Sequence, residues 1–215
     1  MPDEVQSILV IDDHPLMRKG IMQLIALESS LRLVGEAGDG RHGLELACQL
    51  RPELILLDLN MRGLSGLDTL KAIRAAELDA RVIILTVSDS EEDVVAALRA
   101  GADGYLLKDM EPEDVLHSLR MAAQGRMALG ERIAAILAEA LRHQNPVHSI
   151  ESARLTERER EILALIAAGH RNKLIARKLK IAEGTVKVHV KHLLRKLNLE
   201  SRVEAAVWAV EKGLA

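Results

Sequence analysis

Leu54–Asn60 reads LILLDLN, four apolar residues followed at once by an acid, and Ser7–Asp13 reads SILVIDD, the same arrangement with two acids. Runs this short, apolar on both faces and rich in Ile, Leu and Val, fit strands buried in a sheet rather than helices. Outward from them the pattern repeats. LRLVGEA (31–37), RVIILT (81–86) and GYLL (104–107) are three more such runs. Between them lie stretches of helical period at Leu16–Leu27, His42–Leu50, Leu64–Ile73 and Val94–Ala100, with Pro112–Ala123 after the last. Five βα units follow, which predicts a doubly wound five-stranded parallel sheet with helices on both faces. Ligands of such sheets bind beyond the carboxyl ends of the strands, so function is sought just after each run.

Those ends carry a coherent set of groups. Asp12 and Asp13 follow the first run, Asp58 follows the third, Thr86 closes the fourth and Lys108 follows the fifth. Three carboxylates completed by water and a backbone carbonyl suit the octahedral, all-oxygen preference of Mg²⁺. A carboxylate such as Asp58 is a competent phosphoryl acceptor when a metal and an ammonium neutralise the transferring oxygens. Taken singly, each acid has a plainer explanation, since Asp after a strand often caps the next helix and Asp-Asp-His-Pro is a reasonable helix start. Five matched residues at the ends of one sheet favour the chemical reading.

The rest of the chain has a different character. Gly130–Leu141 has amphipathic helical spacing, and QNPVHSIES (144–152) has the composition of a linker. Leu155–Ala167, Asn172–Leu179, Thr185–Leu197 and Arg202–Val210 read as four short helices with no strand among them. Charge divides along the same line. Residues 1–148 hold 15 Lys and Arg against 24 Asp and Glu, a balance of −9, whereas 149–215 hold 14 against 8, a balance of +6. The basic third suits a polyanion. Thr156 and Glu159 have capping-box spacing, Gly169 ends that helix, Asn172 is placed to cap the next, and IAEG (181–184) makes a turn before TVKVHVKHLLRKL, giving a helix-turn-helix. On the last helix of that pair Val186, Val190, Leu193, Leu194 and Leu197 share a core face. Lys187, Lys191 and Arg195 form a stripe beside Val188 and His192. Such a stripe is often only a solvated face, but with the local excess of positive charge it fits the major groove, ammonium groups to guanine or phosphate and the apolar group to a thymine methyl.

Composition narrows the field further. No run approaches the length of a spanning helix and the first nine residues lack a basic cluster, so a soluble protein without a classical export signal is expected, acting in the cytoplasm and not at a membrane. The lone Cys48 sits among Leu44, Leu46, Ala47 and Leu50 and is expected to pack in a helix interface. Tyr105 and Trp208 are the only aromatic residues, too few for a base-stacking platform for single strands.

IDDHPLMRKG, LILLDLNM, ILTVS and GADGYLLKDMEPEDV resemble the receiver domain of response regulators, over about residues 7–124. The resemblance implies a flavodoxin-like fold, Asp58 as phosphoacceptor, and Mg²⁺ held by Asp12, Asp13, Asp58 and the backbone carbonyl of Asn60. It also implies Thr86 and Lys108 as phosphoryl-contacting residues and Tyr105 as the aromatic that moves with Thr86, although a half-buried Tyr packing in its strand fits as well. Two positions depart from the usual pattern: Arg62 stands where Pro is frequent, and Asp109 follows Lys108 where Pro is usual.

Residues from Leu155 to about Val210 resemble the LuxR/FixJ-type DNA-binding domain, and the whole chain is similar to the NarL subfamily of nitrate/nitrite response regulators. The domains are then a receiver at 7–124, a linker with one amphipathic helix at 125–152 and a helix-turn-helix domain at 153–215. That resemblance implies double-stranded DNA contacted by Lys187, Val188, Lys191 and Arg195, a homodimer on DNA through Val203, Ala206, Val207 and Trp208, a cognate sensor histidine kinase, and RNA polymerase as a further contact. A core role for Val203, Ala206 and Val207 is equally compatible with their spacing. Ala182 and Gly184 stand where a polar cap is common, and a missing N-cap hydroxyl costs roughly 0.5–2 kcal/mol. Two other readings compete. One is a Mg²⁺-dependent phosphatase or phosphotransferase, for which position 60 would be Asp rather than Asn; the other is a DNA-binding protein indifferent to phosphorylation, in which the acidic set would be eroded. The set is intact, which favours a switch over an enzyme.

Overall fold

The computed structural model describes residues 5–144 and 154–214. They form two units, divided after Gly130. In the first, strands β1 (Gln6–Ile11), β2 (Leu31–Ala37), β3 (Leu54–Leu57), β4 (Arg81–Thr86) and β5 (Gly104–Leu107) alternate with helices α1 (Pro15–Ala26), α2 (Gly40–Leu50), α3 (Gly66–Ala75), α4 (Glu91–Arg99) and α5 (Pro112–Ala123). All strand pairs are parallel, in the order β2-β1-β3-β4-β5. Every residue of β3, β4 and β5 is buried, as expected for strands covered on both faces, while the edge strand β2 is buried only at its two ends. Ile8, Val10, Leu54, Leu56, Ile83, Leu85 and Leu106 pack against Ile21 and Ile25 of α1 and Val115 and Leu119 of α5. Their alternating neighbours face the opposite side, where Gly43 of α2 lies directly over Ile11. The strand order reverses between β1 and β3, and Asp12 and Asp58 directly follow these two strands, where ligands of such sheets bind.

The sheet has a sixth strand that the sequence pattern did not announce, β6 (Ala128–Leu129), parallel to β5 with Gly104 opposite Ala128 and Tyr105 opposite Leu129. Two residues are too few to show a period. Gly104 permits the pairing, since a Cβ there would lie 2.6 Å from the Ala128 carbonyl oxygen. Cys48 is also not where its apolar neighbours pointed. Gly40, Gly43 and Ala47 form the buried stripe of α2, and Cys48, one position further round, is exposed.

The second unit contains α6 (Glu131–Gln144), α7 (Glu157–Ala167), α8 (Asn172–Leu179), α9 (Glu183–Leu197) and α10 (Arg202–Glu211). The helix that the sequence places in the linker is thus α6, which buries Ile133, Leu137 and Ala140 and packs on α10; most of the expected QNPVHSIES segment lies outside the described residues. The capping box forms as its spacing requires, Thr156 Oγ1 accepting from Glu159 N and Glu159 Oε2 accepting from Thr156 N at 2.8 Å. Asn172 does not cap α8. Arg171 holds the N-cap position, and Asn172, the first helical residue, instead accepts a hydrogen bond from Arg202 at 2.9 Å. Among the described residues no helix is long and apolar enough to cross a membrane.

Candidate functional site

The first candidate is built where β1, β3, β4 and β5 end. Lys108, just beyond β5, sends its Nζ to Asp58 Oδ2 at 2.7 Å and to Asp12 Oδ2 at 2.9 Å, with side chains only 7%, 1% and 5% exposed. Lys108 also lines a mostly apolar cleft with Met17, Leu24, Leu85, Met110 and Val115. Two buried carboxylates drawn to one ammonium form an arrangement in which the cation offsets their mutual repulsion. Asp12 is oriented from its other oxygen by His14 N at 2.7 Å, and Asp58 Oδ1 accepts from Asn60 N at 3.2 Å. Gly66 makes room for this loop: a Cβ there would lie 2.0 Å from the Asp58 carbonyl oxygen.

Asp13 completes the acid group. Its Oδ2 accepts from the backbone N of Arg62 at 3.0 Å, a bond that the Pro more usual at that position has no N–H to make. Its Oδ1 is buried without a hydrogen bond, although His14 Nδ1 stands 2.9 Å away. Ligand atoms of Asp12, Asp13, His14 and Asp58 all lie within 4.8 Å of one another. Three carboxylates gathered this closely fit a hard divalent cation. His14 is the member that the sequence reading passed over, although it directly follows the Asp pair; Nδ1 is 3.9 Å from Asp58 Oδ2.

Thr86 and Tyr105 join this site through intermediaries. The fully buried Thr86 accepts at Oγ1 from Asn60 Nδ2 at 3.2 Å, so the Asn60 side chain links it to the Asp58 loop, a role beyond the carbonyl expected of that residue. Tyr105 is fully buried rather than half-buried, and its hydroxyl donates to Ser88 O at 2.8 Å. Burial and the Asp93 carboxylate push the phenol above its ordinary range, against the hydrogen bond to Ser88 and with a further upward push from Asp58. The described peptide bonds are all trans, that between Lys108 and Asp109 included.

The second candidate is α9. Val186, Leu193 and Leu197 are buried and Val190 and Leu194 half-buried, while Lys187, Val188, Lys191, His192 and Arg195 are exposed. Val188, 52% exposed, is an apolar side chain set among cations. Ala182 occupies the N-cap of α9 with no side-chain hydrogen bond. Val203, Ala206, Val207 and Trp208 of α10 are all buried, 2–6% exposed, in a helix that packs against α6, α7 and α9.

A sheet whose strand ends gather three acids and a lysine, followed by a helix-turn-helix unit, defines a class. Residues 8–120 match the response regulator receiver domain, and residues 153–209 match the bacterial regulatory proteins of the luxR family. The chain belongs to the response regulators and is a two-component DNA-binding transcription regulator. More particularly, it is 55% identical over 211 residues to the nitrate/nitrite response regulator protein NarL of Escherichia coli strain K12, covering 98% of each chain. It is 49% identical over 213 residues to the nitrate/nitrite response regulator protein homolog of Haemophilus influenzae, covering 99% of this chain and 100% of that one. Among solved structures it is similar to the response regulator ChrA of a heme-sensing two-component system, with a TM-score of 0.53 and 32% identity over 99% of this chain and 100% of that one.

Proposed function

We propose that this regulator carries a nitrate/nitrite signal to promoters through phosphorylation of Asp58. The observation that carries the phosphorylation step is the pairing of Lys108 Nζ with Asp58 and Asp12 in a pocket where Asp13 keeps a buried oxygen without a hydrogen bond. The nitrate assignment rests on the names of the relatives.

In this reading an Asp58 oxygen attacks the phosphorus of a phosphohistidine on the cognate sensor histidine kinase. The O–P bond forms as the P–N bond breaks, and the imidazole leaves, taking a proton from solvent. Bound by Asp12, Asp13, Asp58 and the Asn60 carbonyl, Mg²⁺ would supply positive charge to the transferring oxygens. Lys108 turns from the free carboxylate to the phosphoryl group. The Thr86 hydroxyl, which now accepts from Asn60, donates to a phosphoryl oxygen, and the space it leaves lets Tyr105 change its contacts. The helix-turn-helix unit is thereby released to bind double-stranded DNA as a homodimer, Lys187, Lys191 and Arg195 contacting bases and phosphates and Val188 a thymine methyl. Inverting a 99:1 population of inactive over DNA-competent chains would require about 5.5 kcal/mol of differential stabilisation. Pairing through Val203, Ala206, Val207 and Trp208 would require a neighbouring helix of the same unit to move, because all four are covered. The chain turns over no external substrate in this scheme, acts in the bacterial cytoplasm where the DNA is, and meets RNA polymerase at the promoter.

Intact-mass spectrometry after incubation with acetyl phosphate and Mg²⁺ tests the chemistry: wild type gains one phosphoryl group and Asp58→Ala none. A nitrate-responsive promoter reporter in cells lacking this gene tests the signal. An unchanged nitrate response there would remove the nitrate assignment and leave the phosphoryl chemistry standing.

A further inference from the structure

The turn that aims α9 is poorly supported by its own residues. Lys180 takes the left-handed conformation at φ 54° without being glycine, and Ala182 offers no hydroxyl to the first amides of α9. Local sequence therefore supplies neither a glycine for the end of α8 nor a capping hydroxyl for the beginning of α9, and leaves these ends to the charges of Arg177, Lys178 and Glu183 and to the bond from Lys180 N to Ala176 O. Support comes from another helix. Arg158, on the first turn of α7, donates from Nη2 to the carbonyl oxygen of Leu179 at 2.8 Å, and its Nη1 is held by Glu161 Oε2 at the same distance. Leu179 ends α8, and its carbonyl is one of those that an α-helix leaves without an internal partner. The bond thus closes α8 at the residue from which the turn departs, while Arg202 tethers the segment at the start of α8 by donating to His170 O and Asn172 Oδ1.

We propose that Arg158 is a positioning residue for DNA binding: its guanidinium fixes the α8–α9 turn in place of the N-cap that Ala182 cannot provide. This rests on the reading of α9 as the DNA-contacting helix, and it makes Arg158 a contributor to affinity without a DNA contact of its own. Glu161 takes one guanidinium nitrogen and the Leu179 carbonyl the other, and lysine lacks the planar fork that places both donors, so Lys at 158 keeps the charge but loses that two-point geometry.

The test uses the full chain, wild type, Arg158→Ala, Arg158→Lys, Ala182→Ser and the double change Arg158→Ala with Ala182→Ser. A labelled duplex selected by the wild-type chain from random sequence serves as the probe. Loss of one helix-closing hydrogen bond corresponds to about three- to tenfold weaker binding by Arg158→Ala, with Arg158→Lys in the same direction. The salt slope stays at the wild-type value, because no phosphate contact is removed. Ala182→Ser improves binding more in the Arg158→Ala background than in wild type, a non-additivity that independent sites do not show. A slope reduced by about one would make Arg158 a phosphate contact and overturn the proposal. So would strictly additive changes or unchanged affinity.

Hydrogen exchange without DNA separates this from the DNA reading. Arg158→Lys, which retains the charge and the helix start, should lose protection at residues 180–186 while peptides of α7 and α10 keep theirs. Uniform loss across the unit would mean general destabilisation and overturn the positioning role. Normal local exchange effects combined with no DNA binding by wild type would instead defeat the assignment of α9.

Discussion

The two sites of this molecule are made in opposite ways. The acid pocket draws Asp12, Asp13, Asp58, Thr86 and Lys108 from the ends of four strands, and its central side chains are between 1% and 7% exposed. The stripe of Lys187, Val188, Lys191 and Arg195, proposed above to face DNA, comes from one helix and is exposed throughout. Buried charges in a shared cluster are strongly coupled, so losing one member should disable the whole. Exposed charges on a helix act through a screened, roughly additive field, so losing one should weaken binding by a step.

The largest effects therefore belong to the pocket. Asp58→Ala should remove phosphoryl uptake entirely, read by intact mass after treatment with acetyl phosphate and Mg²⁺. Lys108→Ala leaves Asp58 and Asp12 facing each other without their cation, and breaking a buried pair in this way costs on the order of 3–5 kcal/mol. Urea unfolding of the variant should show that loss in the transition of the first unit, and a loss near zero would mean that Lys108 is not holding the acids. On α9 the expected changes are smaller. Lys187→Ala and Lys191→Ala should each cost about 1–3 kcal/mol of affinity if they read base edges, or lower the salt slope by about one if they contact phosphate. A variant that disables binding outright would blur the contrast between the two sites.

The smallest effect concerns the scaffold behind α9. Burial pushes the Glu159 carboxyl upward, but Lys196 at 2.6 Å and the capping bonds from Thr156 outweigh it and hold the group below its ordinary value of 4.5. Since the folded value is depressed, the stabilisation is fully present above 4.5 and is lost as pH falls through the folded value. Glu159→Gln should lower the melting temperature of the second unit at neutral pH and flatten its dependence on pH below that point. An acid-unfolding profile identical to wild type would contradict this.

The same contrast explains what could be read without coordinates. Strands were legible because LILL and RVIILT are buried on both faces and stop abruptly at a polar residue, and the pocket was legible because parallel connections bring such stops together. The exposed stripe of α9 was legible from its spacing alone. Contacts that arise only from tertiary approach were not. His14 and the Arg62 amide reach Asp13 through loops with no periodic signal, and the Asn60 side chain meets Thr86 across 26 residues of sequence. β6 is visible only once Gly104 is seen to admit it. For Cys48 the apolar pattern misled, since of Leu44, Leu46, Ala47 and Leu50 only Ala47 is buried, and two glycines, which carry no apolar signal, form much of the buried face of α2.

In the proposed scheme phosphorylation at the buried site controls the exposed one. Fluorescence anisotropy of a labelled promoter duplex, titrated with wild type and Asp58→Ala, each with and without acetyl phosphate and Mg²⁺, tests it directly. Tighter binding confined to wild type with the phosphodonor is the expected result. Equal binding under all four conditions would contradict it and leave a DNA-binding protein that ignores its own receiver.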